Sequence, residues 1–431
     1  EIASCLVGSE MCIRDRYWIV TKKTSRKENK NMSVVVNINQ NPQKIMKINL
    51  KDLEESVEAN QLYYGVPNQA YCLESYIGKK DIRNQLFVLF SRKTYGRGMS
   101  FFVDDDYNIE LVLNYPATNT DIEVFYHFIQ SCCEKFELET FLQEGEEYPL
   151  SQIEELKQEV ITFNQKYIRQ ELKAGLTIFG CIYPITIEDK FIKSVQIVLP
   201  ERVTDLFELY LDKKQKQDCY FAKPIIYTDN QNDNYYARYA LTENVPSIFP
   251  TKVYLPFGYN QDYFKQIKSW NVAIIENKNQ ELKLTAEIPF TDFIKIIDKK
   301  KCPIFDAKHI IVTVDQALLK KVEKYKIDQA KEKLSEWLSD FRELGQKPAK
   351  IEYTNSFGEE GINCFIFKYK KTILGKWILG IVSDSGTFSE MKEYHKETEI
   401  EDAKEIIKLL KEFWQRQAKD LEKKQKKEEN K

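Results

Sequence analysis

The sequence predicts an α+β fold, mainly antiparallel sheet with flanking helices, followed by a small C-terminal module of helix, three strands and helix. Three observations carry that expectation. Short β-rich runs separated by turn residues fill Leu86 to Leu113, and the apolar spacing then changes to three and four from Ile122 to Phe136. From Pro184 to Pro303 proline recurs at a density that forbids long helices.

Taken in order, Val34 to Leu50 reads as two short strands, and Leu50 to Asn60 as a helix with Leu50, Leu53 and Val57 on one side. Strands follow at Leu86–Phe90, Ser100–Asp104 and Ile109–Leu113, joined by Gly96-Arg97-Gly98 and Asp104-Asp105-Asp106, the residue types that tight turns favour. Ile122, Phe125, Ile129, Cys132 and Phe136 line one helical face behind a capping box at Thr120-x-x-Glu123. Ser151-x-x-Glu154 opens a second helix that runs to Glu171 or Leu172. Short strands occupy Ile178 to Thr313, interrupted by a helix near Val203 to Leu211. Asn230 to Asn234 is a polar tip between strands around Ile225 and Tyr236, and Asn271–Ile275 with Leu282–Ile288 makes a hairpin turning near Lys278-Asn279. A long helix from Leu318 to Phe341 stops at Gly345 and Pro348. Strands at 351–354, 362–369 and 376–382 precede a closing helix with Ile400, Ala403, Ile407, Leu410 and Trp414 on one face, capped by Thr398-x-x-Glu401.

These elements divide into an α+β domain at 32–175, a Pro-rich, mainly β domain at 176–314, an α/β module at 315–421 and a charged, disordered tail at 422–431. Residues 1–31 stand apart. Cys5 to Arg16 resembles one reading frame of a transposase-end sequencing adapter, and Tyr17 to Asn31 is basic and polar without an apolar period. The expectation is an adapter artefact and untranslated leader, with Met32 as the start.

Composition narrows the class further. With 42% hydrophobic and 30% charged residues, the chain reads as soluble and globular, and no run approaches the ~20 apolar residues of a membrane helix. After Met32 the cysteines are Cys72, Cys132, Cys133, Cys181, Cys219, Cys302 and Cys364, an odd number without paired spacing. That suits a reducing cytoplasm better than a disulfide framework. A net charge of −2 lacks the clustered positive field that nucleic acid or an anionic membrane needs, so neither is expected as a partner.

From Met32 to roughly Tyr325 the sequence resembles the bacterial family termed domain of unknown function 4299. The likeness rests on Gly96-Arg97-Gly98, on Asn114-Tyr115-Pro116-Ala117-Thr118 followed by Asp121, and on Glu144-Gly145-Glu146-Glu147-Tyr148. It continues through Phe221-Ala222-Lys223-Pro224, the run from Leu241 to Pro250, and Pro256-Phe257-Gly258. The resemblance implies a bacterial, soluble α+β protein and carries no activity onto any residue. The last hundred residues, with the run Gly375 to Gly380 and the run Thr387 to Tyr394, look like a separate small module found fused to other bacterial proteins of unknown role.

Chemistry-bearing residues are few. The histidines, the usual proton carriers of catalysis, are only His127, His309 and His395. His127 reads as a surface residue and His395 as a loop residue. Cys302 and His309 lack the further ligands that zinc demands, so no metal is expected. Cys132 and Cys133 read as core packing, and Asp104 to Asp106 as a solvated turn, since the spaced ligands of a calcium loop are missing. Gly96, Arg97 and Gly98 are the candidate anion or ligand contacts, with backbone amides and a guanidinium facing an anion. A phosphate cradle leads into a helix, whereas this bend leads into a strand, which favours a hairpin turn. Tyr254, Phe257 and Tyr259, in a strongly aromatic stretch, are the candidate interface residues, with core packing as the alternative. The functional expectation is a non-enzymatic cytoplasmic binding protein, an immunity or accessory partner of another bacterial protein, without cofactor or catalytic residues. The alternative is an enzyme or nucleotide-binding protein using the bend at Gly96-Arg97-Gly98.

Overall fold

Alternation in the first strand, β1 (Ser33–Ile38), sends Val34, Val36 and Ile38 to one buried face. In the computed structural model β1 lies between β5 (Ile109–Asn114) and β6 (Thr140–Gln143), antiparallel to both. Its register places Val34 opposite Leu113, Val36 opposite Leu111 and Ile38 opposite Ile109. Strand β4 (Met99–Val103) continues the stripe with Met99, Phe101 and Val103 opposite the same three residues of β5. Each such side chain contributes about 1.5–3 kcal/mol on burial, and a slip of one residue would turn the whole stripe to water. With β2 (Leu62–Gly65), β3 (Leu86–Ser91) and β7 (Glu146–Pro149), the sheet has the order β2-β3-β4-β5-β1-β6-β7.

The structure describes residues 32–47, 62–65, 82–84, 86–91, 93–229, 234–255, 262–278, 281–340, 350–359, 362–370, 373–374, 377–383 and 388–391. The chain divides after Asp315 into two compact units. The leader at 1–31, the helix expected at 50–60, the stop at Gly345 and Pro348, the closing helix and the charged tail lie outside the described residues.

Helix α1 (Asn119–Lys135) covers the stripe, burying Ile122, Phe125, Phe128, Ile129, Cys132 and Cys133, with the ring of Phe128 edge-on to Phe101 at 5.7 Å. Its cap differs from the expected one. Thr118, extended at φ −80° and ψ 163°, accepts from the amide of Asp121, whose carboxylate in turn accepts from the amide of Thr118. Because Asn119 and Thr120 are already helical, Thr120 cannot cap. Helix α2 (Ile153–Gln170) likewise starts without Ser151 as its cap. Ser151 sits inside a 3₁₀ turn (Leu150–Gln152) that leads straight into α2, and Glu154 pairs with Lys157 at 2.7 Å.

Two hydrophobic cores meet along α2. Leu156, Val160 and Tyr167 belong to the core under the large sheet. Ile168 and Leu172 belong to a second core with the hairpin β8 (Thr177–Phe179) and β9 (Pro184–Thr186) and the helices α3 (Asp189–Ile197) and α4 (Val203–Gln215). The sequence pattern anticipates α4 but not α3, whose nine residues carry too short an apolar period to separate it from the surrounding strands.

Beyond α4 the strands form two further sheets. One has the order β10 (Tyr220–Phe221), β13 (Ser247–Pro250), β16 (His309–Val312). The other has the order β11 (Ile225–Asp229), β12 (Asn234–Thr242), β14 (Ile267–Lys278), β15 (Glu281–Pro289). The two expected hairpins are the antiparallel pairs β11 with β12 and β14 with β15. Strands β12 and β14 run parallel, since between them the chain leaves to build β13 and the short helix α5 (Asp262–Gln266). Tyr239, Phe249, Phe290 and Phe293, the last two on helix α6 (Phe290–Ile296), stack into the interior of this region.

The second unit begins with helix α7 (Gln316–Asp340) and continues as an antiparallel meander of β17 (Lys350–Glu359), β18 (Ile362–Lys370), β19 (Trp377–Ser383) and β20 (Phe388–Met391). Among the described residues four strands are present here against three expected. The fourth is only four residues long and includes the polar pair Ser389 and Glu390, so it shows no apolar alternation and is defined by its pairing with β19.

Candidate functional site

The bend between β3 and β4 gathers the polar groups that the sequence singles out, and it gathers them around an internal anion. Asp121, buried on the first turn of α1, accepts from the amide of Gly98 at Oδ1 (2.9 Å) and from the amides of Arg97 (2.9 Å) and Thr118 (3.2 Å) at Oδ2. The helix N-terminus favours the same negative charge. Two glycines make the approach possible. A Cβ on Gly96 would lie 2.3 Å from Asp121 Oδ2, and Gly98 sits at φ +69° with Leu89 O only 2.5 Å from where its Cβ would be. Gly96-Arg97-Gly98 therefore cradles a carboxylate of its own chain in the place where an external anion was considered.

The Arg97 side chain ties the bend to other elements. Its Nε donates to Phe179 O at 2.9 Å, and its Nη1 donates to Tyr115 O at 2.7 Å and Pro116 O at 3.2 Å. Gly96 O accepts from the amide of Cys181 at 3.1 Å, and Asp212 on α4 accepts from the amide of Tyr95 at 2.7 Å. Asn164, fully buried on α2, pairs with both backbone groups of Ala117 at 2.9 Å. The large sheet, α1, α2 and the β8–β9 hairpin are thus pinned to one another by satisfied polar groups, an arrangement that fixes geometry and leaves the named donors engaged.

A second constellation joins Asp306, His309 and Tyr254. Asp306 accepts from the amides of Thr186 (2.8 Å), Lys308 (2.8 Å) and His309 (2.7 Å), and its Oδ1 also faces His309 Nδ1 at 2.8 Å. The carboxylate faces Nδ1, and Nε2 on the other side of the ring lies 3.3 Å from the Tyr254 hydroxyl. His309 and Asp306 are buried, and the rings of Phe221 and Tyr254 lie 5.4 Å and 5.7 Å from the imidazole. Burial, aided by the charge of Asp306, pushes the Tyr254 hydroxyl well above its ordinary pKa. The phenol stays protonated and is a poor nucleophile, so the chain Tyr254, His309, Asp306 can hold and orient protons but does not present an activated group.

Next to it Lys214 bridges Glu188 and the carbonyl of Phe305, with ion pairs of 2.9 Å from Lys214 and from Lys190 to Glu188. Gln215, also buried, accepts from the amides of Ile182 (2.7 Å) and Tyr183 (2.8 Å) and donates to Tyr183 O (2.9 Å). The groups brought together here are Asp306, His309 and Tyr254, whereas sequence reasoning weighed His309 with Cys302. The Asp306-x-x-His309 spacing is the only local signal for the pair; Tyr254 stands out in the sequence as an interface candidate, but nothing there links it to His309, 55 positions away. Among the described residues no group of three or more His, Cys, Asp or Glu could hold a metal ion.

The other singled-out residues are placed as follows. Cys132 and Cys133 are buried; burial, with the neighbouring Glu134 adding to it, pushes the Cys133 thiol up to about 12. Asp104 closes its turn by accepting from the amides of Asp106 and Asn108 at 2.9 and 2.8 Å. His127 is exposed on α1. Of the candidate interface residues, Tyr254 is half-buried against His309, while Phe257 and Tyr259 lie outside the described residues. No helix among the described residues is long and apolar enough to cross a membrane.

Comparison with known proteins yields no matching curated protein and no matching solved structure. A family model described as "Domain of unknown function (DUF4299)" matches residues 33–322, from β1 through both cores and into α7, and the chain belongs to that family.

Proposed function

We propose that the chain is a non-enzymatic bacterial cytoplasmic protein that binds another protein, in an immunity or accessory role. The observation that carries this reading is the contrast between spent polar groups and unspent apolar ones. Asp121, Arg97, Asp306, His309 and Gln215 all make their hydrogen bonds inside the fold. Apolar side chains meanwhile stand in water on consecutive elements: Ile197 at the end of α3 (85% exposed), Leu199 in the turn after it (63%) and Leu209 on α4 (70%). Helices α3 and α4 are neighbours, since Phe191 stacks on Tyr210 at 4.1 Å. Exposed apolar side chains beside charged ones such as Arg202 and Lys213 suit a protein contact. A reducing cytoplasm accords with the adjacent buried thiols Cys132 and Cys133.

The test is an affinity pull-down from the native host with the tagged chain and with a triple variant, Ile197→Ser, Leu199→Ser and Leu209→Ser. A specific partner captured by the first and lost by the second supports the reading; recovery of no protein by either counts against it. The alternative of an enzyme or nucleotide-binding protein built on Gly96-Arg97-Gly98 has less support, because the amides of Arg97 and Gly98 are taken by Asp121.

A further inference from the structure

We draw no further inference here: the strongest candidate, the surface patch of exposed Lys299, Lys300 and Lys301 with the exposed Ile304 between α6 and β16, is a solvent-facing run of charge, and nothing in the structure shows what covers it.

Discussion

Single side chains in this protein hold together segments that are far apart in sequence, and Asp121 does so most plainly. Its carboxylate satisfies three backbone amides, two of them on the bend that precedes β4. Removing an acceptor from buried donors costs the desolvation of each. Asp121→Ala is therefore expected to destabilise the first unit by about 3–5 kcal/mol, read as a lower urea midpoint. A change below about 1 kcal/mol would mean that the carboxylate does not hold the bend. Glu188 makes a pH-dependent contribution. Burial is the largest single influence and would raise its pKa, but the hydrogen bonds and charges of Lys214 and Lys190 together outweigh it and bring the carboxyl below its ordinary 4.5. A carboxyl with a lowered folded pKa stabilises fully above its unfolded value, and that contribution is lost as pH falls through the folded one. Glu188→Gln should accordingly be less stable than the native chain at neutral pH and lose less on acidification below pH 4.5. Parallel stability curves for the two proteins would contradict the assignment. The sequence shows none of these pairings, since Asp121 and Glu188 look like any acid at a helix start.

At the scale of elements, local rules work where side-chain period decides and fail where a cap depends on the exact first turn. The strands β3, β4 and β5 and the apolar face of α1 follow from alternation and from spacings of three and four. Both expected capping boxes of the first unit are misplaced, although each matches the required residue pattern. Asp121 replaces Glu123 because its carboxylate is already anchored by Arg97 and Gly98, and Ser151 is displaced by a 3₁₀ turn. The difference is measurable. Thr118→Ala should cost about 1–2 kcal/mol, whereas Ser151→Ala should change stability by no more than about 0.5 kcal/mol. Equal effects on the urea midpoint would restore Ser151 as a cap. Strand β20 and helix α3 show the other limit, since elements this short carry too few residues for a period to emerge.

For the molecule as a whole, the α+β character follows from the change in residue pattern between strand-rich and helical stretches. The parallel pairing of β12 with β14 could not be read in that way, because strand direction depends on where the intervening β13 goes. The candidate site follows the same logic. Gly96-Arg97-Gly98 stands out in the sequence as an anion cradle, but the identity of the anion is settled by which carboxylate the fold delivers to it. His309 stands out as one of three histidines, yet its partners are Asp306 and a tyrosine from another loop. By itself the sequence determined what neighbouring residues decide among themselves: the strands β3, β4 and β5, the buried stripes and the apolar face of α1. Only the tertiary structure decided which donor meets which acceptor. Hydrogen bonds between segments 24 to 120 positions apart depend on chain geometry that no local period encodes.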